Sequence, residues 1–516
     1  MNHDAPGASE HRAAWARLVS NSNWNFAAFA IVVLANFLTL PYVIHRIGIA
    51  QFGLGGLILA MLAPFMFVGT VIGQACVREI SPMLAEHRTE AARQTFSSAL
   101  ALCVCGCAAV LVAFGIGGSY LVQRFMGTAT GATQSLQAAC LVATVGWAAQ
   151  QIFQVFQSTI ISTQQFRALA TLNVVAAIAS SLCLLAATWI APTLFGFLSG
   201  AAAGFMVTLL LTLGQARRHA AAMFPLAHPR LADVRRIVAF CRWQVPAQLA
   251  GSIALQTDRY LLGATATMSV VGQFNVATRL QEVVYMGVLK ISEVLFPHFS
   301  AAADKPVQQK ISVFMASSWL VNTIAAAALA PLIPLSAALV ALWVGADATE
   351  FGGPILCTLV TAGIVGSGMN VFSYFAMGNG YSKQLGVMAL AHSAAVALCS
   401  TALILNFGAM VAGAGFLAAN VLRLVWATSL TPSMIGNRLR MREVAQSTLP
   451  PLGSGLLVGW CLWPVSASSW LALAGNYALI AAAVLLASLV LSAIFPAARA
   501  LMLGIYAGAR DHLVKR

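Results

Sequence analysis

Apolar residues occur in this chain as long runs separated by short polar breaks, from the N-terminal region to the C-terminal region. Crossing the hydrocarbon core of a bilayer as a helix takes about 20 consecutive apolar residues. Because lipid offers no hydrogen-bond partners to the backbone, a run of that length predicts a transmembrane helix. The runs predict fourteen spans, near 24–45, 53–76, 96–118, 134–161, 168–190, 193–216, 243–265, 270–297, 312–336, 352–377, 384–407, 409–431, 449–465 and 473–496.

The polar breaks divide these spans into groups of six, six and two. The pattern predicts an all-α, polytopic membrane protein with two six-helix bundles and two additional C-terminal helices. The first run is full-length and has no small-residue cleavage site, so we expect the first span to stay in the protein. The predicted segments are a cytosolic N-terminal segment (1–23), the first bundle (24–216), a basic cytoplasmic linker (217–242), the second bundle (243–431), a basic cytoplasmic loop (432–448), the two additional helices (449–496) and a basic cytosolic tail (497–516).

Basic residues are distributed unevenly among the polar breaks. Most of the 28 Lys and Arg residues fall in breaks that share one side of the membrane if both termini are cytoplasmic. Arg46 and Arg124 fall on the opposite side, and the remaining basic residues lie within spans. Because cytoplasmic loops are enriched in Lys and Arg, both termini are expected in the cytoplasm.

The composition excludes several classes of protein. A chain that is 60% hydrophobic and 8% charged is too apolar for a soluble globular domain. Its formal net charge of +14 is explained by basic loops that face anionic lipid, so we expect membrane lipids as partners and no nucleic acid. The predicted external loops are short, which argues against a membrane polymerase or ligase, since such enzymes usually need a sizeable external loop.

The 10 cysteines do not indicate a metal site. Nearly all of them occur singly inside apolar runs, where a thiol acts as a small side chain that is easily buried. The one cluster, Cys103, Cys105 and Cys107, has no His or carboxylate nearby to complete a set of ligands. No metal and no cofactor are therefore expected.

One face of the eighth predicted span is charged along its length. Charges inside a bilayer are costly unless they are paired or hydrated, so this face is a candidate functional surface. An alternative is that its two cation–carboxylate pairs, each three residues apart, only fix helix packing. The charged residues, which share one arc of the helix while the rest is aliphatic, are Arg279, Glu282, Lys290 and Glu293.

The seventh span has a similar polar face, which includes Asp258 and Arg259. We expect this face to meet the charged face of the eighth span. Adjacent residues diverge by about 100° around a helix, so one of the two can pair with a neighbouring helix while the other faces water. A purely local salt-bridge role remains the alternative.

Polar faces elsewhere are mostly uncharged. Amides beside an aromatic ring suit the hydroxyls and apolar faces of sugars, although glutamines also join membrane helices by hydrogen bonds. The residues are Asn25 and Asn36 on the first span; Thr70, Gln74 and Arg78 on the second; Trp147, Gln150, Gln154 and Gln157 on the fourth; Asn370, Tyr374 and Tyr381 on the tenth; and Asn420 and Arg423 on the twelfth.

The two bundles share a weak sequence repeat. Tyr42 and Tyr260 each end the first span of a bundle, and a Gln-Phe pair, at 51–52 and at 273–274, opens the next span. This placement suggests parallel repeats related by an axis along the membrane normal.

Four segments carry motifs that suggest a family: RIGIAQFGLGG (46–56), VIGQACVREIS (71–81), TDRYLLG (257–263) and VGQFNVATRLQE (271–282). Through them, and through its layout of spans, the chain resembles the Wzx-type polysaccharide and O-antigen flippases. These form the polysaccharide transporter branch of a superfamily that also holds multidrug and toxin extruders and lipid II flippases. The resemblance implies a V-shaped pair of six-helix bundles in the bacterial inner membrane that alternates between inward-open and outward-open states.

The resemblance also implies a cargo and a set of roles. The cargo is an undecaprenyl-pyrophosphate-linked oligosaccharide, moved from the cytoplasmic to the periplasmic leaflet by a protein that is not an enzyme. Polysaccharide polymerase and chain-length machinery are the protein partners that follow. The implied pyrophosphate ligands are Arg259, Arg279, Lys290, Arg423 and Arg78; the glycan-facing residues are Trp147, Gln150, Gln154, Gln157, Asn370 and Tyr374; and the candidates for ion coupling are Asp258, Glu282 and Glu293.

Several alternatives remain open at this point. Those carboxylates would have no coupling role if they only balance the basic residues. A multidrug and toxin extruder usually needs a carboxylate in its first helices, and the first span here has none. A lipid II flippase would share the fold, but its characteristic N-terminal arginine pattern is not seen. A non-transporting scaffold is the remaining alternative.

Overall fold

The computed structural model describes residues 30–126, 133–293, 306–435 and 439–496, together with Leu295, Phe299, Ala498 and Arg499. Within these residues the chain forms sixteen helices joined by short links, and no strand. The prediction of an all-α protein is confirmed. The predicted segment 1–23, Asn25 and most of the tail at 497–516 lie outside the described residues.

The chain divides into two compact units, Met1–Leu249 and Ala250–Arg516. In the first unit, Gly48, with a φ of +82°, separates the first two helices, and a 3₁₀ turn at Ala63–Met66 separates the second from the third. The helices that lie entirely in this unit are α1 (Ala30–Ile47), α2 (Ile49–Leu62), α3 (Phe67–Ala85), α4 (Thr89–Met126), α5 (Thr133–Ser162), α6 (Phe166–Ile190) and α7 (Leu194–His219).

Helix α8 (Leu231–Thr265) crosses the division between the two units. The helices that follow all lie in the second unit. They are α9 (Met268–Glu293), α10 (Val307–Leu329), α11 (Ser336–Trp343), α12 (Thr349–Gly378), α13 (Ser382–Phe407), α14 (Ala414–Met434), α15 (Met441–Cys461) and α16 (Trp470–Ile494).

Eleven helical segments among the described residues are long and apolar enough to cross a membrane. Three further helices, α8, α9 and α15, are long enough but more polar, and they coincide with the predicted seventh, eighth and thirteenth spans. Polar residues inside a span mark function rather than exclude insertion. The protein is therefore a multi-pass, all-α membrane protein.

In the first unit, α5 is the central helix and packs against α3, α4 and α7. The approach of α3 to α5 depends on Gly69, since a Cβ there would lie 2.6 Å from the carbonyl oxygen of Gln151. Van der Waals packing rather than hydrophobic exclusion holds helices together in lipid, so small residues at such crossings stabilise the bundle.

In the second unit, α12 is the central helix, and nearly all of its apolar stretch is buried. It packs against α9, α10, α14 and α15. Near its C-terminal end, the Phe375 ring meets those of Phe299 and Phe314 edge-on, with ring centres 5.5 and 5.3 Å away. This arrangement brings polar residues of α9, α12, α13 and α14 close to one another.

Three boundaries differ from the sequence-based expectation. Helix α8 begins at Leu231 rather than near 243, so half of the predicted basic linker is helical. The predicted second span is interrupted by the 3₁₀ turn at Ala63–Met66, where Pro64 cannot donate a backbone hydrogen bond. The short helix Ser336–Trp343 lies between the ninth and tenth spans and was not predicted.

Candidate functional site

The charged face of α9 contains two internal ion pairs. Arg279 Nη1 lies 3.1 Å from Glu282 Oε2, and Lys290 Nζ lies 2.9 Å from Glu293 Oε2. The four side chains are 37–58% exposed. Exposed pairs at this spacing contribute only about 0.2–0.5 kcal/mol, and a guanidinium has five N–H donors. Arg279 therefore keeps donors for a ligand although it is paired.

Asp258 holds the turn that precedes α14. Its carboxylate is buried, and Oδ2 accepts a hydrogen bond of 2.8 Å from the backbone N–H of Gly413, whose φ is +88°. Its second oxygen, Oδ1, is buried, and the side chain of Ser400 also interacts with this carboxylate. The contact gives Asp258 a structural role, because it satisfies a backbone donor just before a helix begins.

Arg259 joins the end of α8 to α9. Its Nε donates a 2.6 Å hydrogen bond to Asn275 Oδ1, and its Nη1 donates to Gln256 Oε1. It also interacts electrostatically with Arg279 and Glu282. The polar faces of the seventh and eighth spans therefore meet, as the sequence predicted. Asp258 and Arg259 turn to different neighbours, which agrees with the divergence of adjacent residues around a helix.

A second polar cluster joins α9, α13 and α14. Tyr285 and His392 both interact electrostatically with Arg423. His392 Nε2 lies 2.9 Å from Asn420 Oδ1, and Asn420 Nδ2 donates to the carbonyl of Ala362 at 2.8 Å. Because the Asn420 amide nitrogen is used as a donor, its oxygen must accept, which assigns the hydrogen to His392 Nε2.

Arg423 is a half-buried basic residue of the second unit. None of the ion pairs formed between described residues includes it. Its Nε is buried and has no hydrogen-bond partner within the described ranges. Because a guanidinium stays protonated, this group is a half-buried positive charge without a carboxylate to balance it.

Asn370 and Tyr374, which lie one turn apart on α12, are directed into the second unit. Asn370 is buried, and its Oδ1 accepts a 3.3 Å hydrogen bond from the Tyr285 hydroxyl. Its Nδ2 has no partner among the residues that the structure describes. Tyr374 is partly buried and packs against the phenylalanine cluster of Phe299, Phe314 and Phe375.

The aromatic residue of the first unit's polar face is buried. Trp147 is 4% exposed, and its Nε1 has no hydrogen-bond partner within the described chain. Its ring therefore has no open face for a sugar in this conformation. The buried amide of this region is Gln151, whose Oε1 accepts from the Gly69 N–H at 3.1 Å.

The remaining glutamines of α5 serve two purposes. Gln157 Nε2 donates to Asn173 Oδ1 at 3.4 Å, which joins α5 to α6 in the way that the helix-packing alternative proposed. Gln150 and Gln154 are only partly buried. These two amides are the members of the face that remain open to a ligand.

Arg78 lies in the first unit, whereas the other four predicted pyrophosphate ligands lie in the second. Its side chain is exposed, and its guanidinium carbon is 4.9 Å from the centre of the Phe240 ring on the first part of α8. On the next residue, Glu79 lies 3.8 Å from Arg236. These contacts hold α3 against the start of α8.

The glutamines of the sequence repeat have related structural roles. Gln51 Oε1 accepts from the N–H of Leu194, the first residue of α7, at 2.7 Å. Gln273 Oε1 accepts from the N–H groups of Phe351 and Gly352 at the start of α12, at 2.8 and 3.0 Å. Each therefore satisfies backbone donors at the N-terminus of another helix, although the two helices are not at equivalent places in the two bundles.

The cysteines remain unpaired, and Cys103 and Cys107 are buried while Cys105 is exposed. Among the described residues, no group of three or more His, Cys, Asp or Glu side chains is placed to hold a metal ion.

Sequence reasoning missed two members of the α9–α13–α14 cluster, Tyr285 and His392. His392 is the only ionisable residue in an otherwise apolar run, ALAHSAAVAL, and that contrast was a usable signal. Tyr285 gave no such signal, because its partner Asn370 is 85 residues away along the chain.

Solved structures of transporters share this fold. The lipid II flippase MurJ, in its inward closed conformation, aligns with a TM-score of 0.69 at 12% identity, covering 90% of this chain and 98% of that chain. An inward-facing multidrug resistance MATE family transporter gives a TM-score of 0.64 at 14% identity, covering 81% and 100%. A superfamily member from Pyrococcus furiosus, described as having a binding pocket of reverse polarity, gives 0.56 at 12% identity, covering 80% and 96%. At identities this low, the structural similarity shows a common fold and does not by itself show a common function.

The sequence comparisons identify the family. No curated protein matches this chain. One family model, described as polysaccharide biosynthesis protein, matches residues 18–303, which is more than half of the chain. With its multi-pass helical fold and the polar faces described above, this chain belongs to the polysaccharide biosynthesis protein family.

Proposed function

We propose that this protein is a flippase that moves an undecaprenyl-pyrophosphate-linked oligosaccharide across the inner membrane by alternating access, in the synthesis of a surface polysaccharide such as O-antigen. The observation that carries the proposal is the set of guanidinium groups on the polar faces of the second unit, at Arg259, Arg279 and Arg423. Family membership and the fold shared with flippases and other transporters support the same reading.

A pyrophosphate group requires charge-assisted donors that water does not compete for. Guanidinium groups supply planar, paired N–H donors that match phosphate oxygens, and these bonds are strong where the dielectric constant is low. The like charges of Arg259 and Arg279 repel one another across adjoining helices, and a phosphate group bound by both would relieve that repulsion. Lys290 and Arg78 complete the proposed set of pyrophosphate ligands.

The glycan is proposed to contact uncharged polar residues. Gln150 and Gln154 supply open amide groups in the first unit, and Gln157 joins them once it leaves its bond to Asn173. Asn370 and Tyr374 supply an amide and a phenol in the second unit. Trp147 joins them only in a conformation that opens the packing around it. Alternating access requires such repacking, since the substrate faces of a transporter change exposure between its states.

Ion coupling is proposed for the carboxylates of the second unit. Asp258 is buried and interacts with the Gly413 N–H and the Ser400 side chain, whereas Glu282 and Glu293 are exposed and belong to ion pairs. A buried carboxylate that belongs to none of the ion pairs between described residues is the better candidate to bind a cation or proton during the cycle. We place Asp258 first among the three.

The proposal extends to location and partners. The excess of basic residues in alternate loops supports cytoplasmic termini in the bacterial inner membrane. Polysaccharide polymerase and chain-length machinery would use the flipped cargo on the opposite side. The protein is proposed to act as a transporter and not as an enzyme.

Deletion of the gene, followed by extraction of lipid-linked intermediates, tests the cargo directly. We expect the undecaprenyl-pyrophosphate oligosaccharide to accumulate and the surface polymer to disappear, and a plasmid copy to reverse both. Accumulation of lipid II would instead identify a lipid II flippase. Normal polymer together with drug hypersensitivity would identify a multidrug extruder. Either result rejects the proposal.

A further inference from the structure

Arg423 is the one basic residue of the polar faces in the second unit whose charge the described residues leave unbalanced. Arg279 and Lys290 each have a carboxylate three residues along α9. Arg259 is bonded to two amides and interacts with Glu282. Arg423 belongs to no ion pair between described residues, and its Nε is buried without a partner.

A half-buried, unbalanced guanidinium destabilises a membrane protein unless something compensates its charge. Removing a charge from water costs several kcal/mol, and neutral dipoles recover only part of that cost. The groups around Arg423 are neutral or basic: Tyr285 on α9, and His392 and Asn420 on α13 and α14. Since the described protein groups supply no anion, an anionic ligand is the natural counter-charge.

The same region contains donors that are held loosely or not at all. The Tyr285 hydroxyl donates to Asn370 Oδ1 at 3.3 Å, which is long for an O–H donor. Asn370 Nδ2, on a residue that is 7% exposed, has no partner among the described residues. A buried donor without an acceptor is costly, so these groups are arranged for an acceptor that arrives from outside the protein.

We propose that Arg423, Tyr285 and Asn370 form a subsite within the second unit that binds one phosphate-type anionic group, with His392 as a positioning residue. Arg423 supplies the charge and its free Nε–H. Tyr285 exchanges its long bond to Asn370 for a bond to the anion, and Asn370 Nδ2 donates a further bond. His392 acts through Asn420, because its Nε2–H fixes the Asn420 amide that is bonded to the carbonyl of Ala362.

This subsite refines the proposed function. It rests on that function in one respect, which is that Arg423 binds the pyrophosphate of the cargo. It ranks Arg423 above the two paired cations Arg279 and Lys290 as the anchor for phosphate. It also adds Tyr285, which has no assigned role in the proposed transport cycle, and moves Asn370 from the glycan to the phosphate. Both statements concern binding and can be measured without transport.

Binding of inorganic pyrophosphate to the purified full-length protein tests the subsite, by isothermal titration calorimetry at fixed ionic strength. We expect Arg423→Gln to weaken binding at least about tenfold, since a charge-assisted bond is lost. Tyr285→Phe should weaken it about two- to tenfold, since one neutral hydrogen bond is lost. Arg423→Lys should fall between Arg423→Gln and the wild type, because it keeps the charge but loses the planar fork.

Matched controls keep the test independent of folding. Tyr477→Phe also removes a partly buried tyrosine hydroxyl bond, to the carbonyl of Ala328 at 2.6 Å, but on α16. Arg124→Gln removes an exposed charge of the first unit. Both should bind the probe like the wild type. The subsite is rejected if Arg423→Gln binds with unchanged affinity, or if Tyr285→Phe has no more effect than Tyr477→Phe.

The positioning role of His392 has its own readout. His392→Gln keeps a donor toward Asn420, whereas His392→Ala removes it, so the glutamine variant should recover most of the affinity that the alanine variant loses. Equal affinities in the two variants would remove His392 from the subsite.

A competition arm identifies the source of the anion. Displacement of pyrophosphate by undecaprenyl pyrophosphate in the same micelles would assign the subsite to the lipid head group. Retained binding without displacement would assign it to a free anion. If lipid-linked oligosaccharide fails to accumulate on deletion while these affinities change as expected, the proposed function is rejected and the subsite is retained. If the oligosaccharide accumulates but the variants bind pyrophosphate like the wild type, only the subsite is rejected.

Discussion

At the scale of single residues, the basic side chains of the second unit differ in the groups that lie next to them. Arg279 and Lys290 have a carboxylate three positions along the same exposed helix face, so their pairing is local and weak. Arg259 is bonded to amides, and Arg423 has no described carboxylate. A ligand anion that binds Arg423 therefore displaces no described carboxylate. One that binds Arg279 competes with Glu282, which is only weakly paired.

Removing the guanidinium groups at the junction of α8 and α9 is expected to abolish function. We predict that Arg279→Ala and Arg259→Ala each reduce surface polysaccharide at least about tenfold, because each removes charge-assisted donors worth about 1.5–3 kcal/mol. The measurement is polymer per cell, with the level of the protein in the membrane fraction as its control. Arg124→Ala should leave the polymer and the protein level unchanged. Wild-type polymer in both Arg279→Ala and Arg259→Ala would contradict a binding role for this face.

Exchanging the members of the second α9 pair separates binding from packing. Lys290→Glu combined with Glu293→Lys keeps a pair at the same spacing, so the free energy of unfolding should change by less than about 0.5 kcal/mol. It moves the positive charge to Glu293's position on the helix. If Lys290 contacts pyrophosphate, polymer falls markedly while the melting temperature holds; full polymer synthesis in the exchanged variant would show that the pair only fixes packing.

At the scale of helices, hydrophobic runs predicted most of the spans because lipid demands about 20 apolar residues of any segment that crosses it. The same physics says little about where a helix continues beyond the membrane. Helix α8 therefore begins at Leu231, within the basic stretch that its charge marked as a linker. The 3₁₀ turn at Ala63–Met66 was missed for a related reason, since its residues are as apolar as those around them.

The capping glutamine of α12 should be important for stability. Gln273 is 3% exposed, and its Oε1 accepts from both Phe351 N–H and Gly352 N–H. Gln273→Leu keeps the size but leaves two backbone donors unsatisfied, which should destabilise the protein by about 1–3 kcal/mol.

The control for that substitution is the related glutamine of the first unit. Gln51 is exposed and accepts one backbone bond, from Leu194, so water can replace it in Gln51→Leu at a smaller cost. Thermal unfolding of the two variants in detergent measures the difference. A shift as large for Gln51→Leu as for Gln273→Leu would contradict burial as the cause.

At the scale of the whole molecule, sequence found the faces of the candidate site but not all of their neighbours. Periodicity shows which residues share a helix face, and it brought Arg259 together with α9 correctly. It does not show which helices pack together, so the hydrogen bond of Tyr285 with Asn370 and the electrostatic interaction of His392 with Arg423 came only from the structure. Nor does it show depth of burial: Trp147, on the predicted polar face of α5, is buried.

The topology of the chain gives the last prediction. The basic segments at 217–242 and 436–446 should both be cytoplasmic, because a loop rich in Arg resists translocation. Six spans precede the first segment and six more precede the second, so an even count places both on one side together with the C-terminal tail. Alkaline phosphatase needs disulfides that form only in the periplasm, whereas green fluorescent protein reports cytoplasmic fusion points.

We expect fluorescence from fusions after residues 230 and 516, and phosphatase activity from a fusion at 191–193, the link between the fifth and sixth spans. Phosphatase activity at residue 516 would mean an odd number of spans. If the number of spans is odd, one of the polar helices does not cross the membrane, since α8, α9 and α15 are counted as spans for their length rather than for their apolar character. A fusion after residue 266, between α8 and α9, tests whether α8 crosses the membrane. Phosphatase activity there requires that α8 crosses it despite Asp258 and Arg259. The candidate site then lies within the membrane.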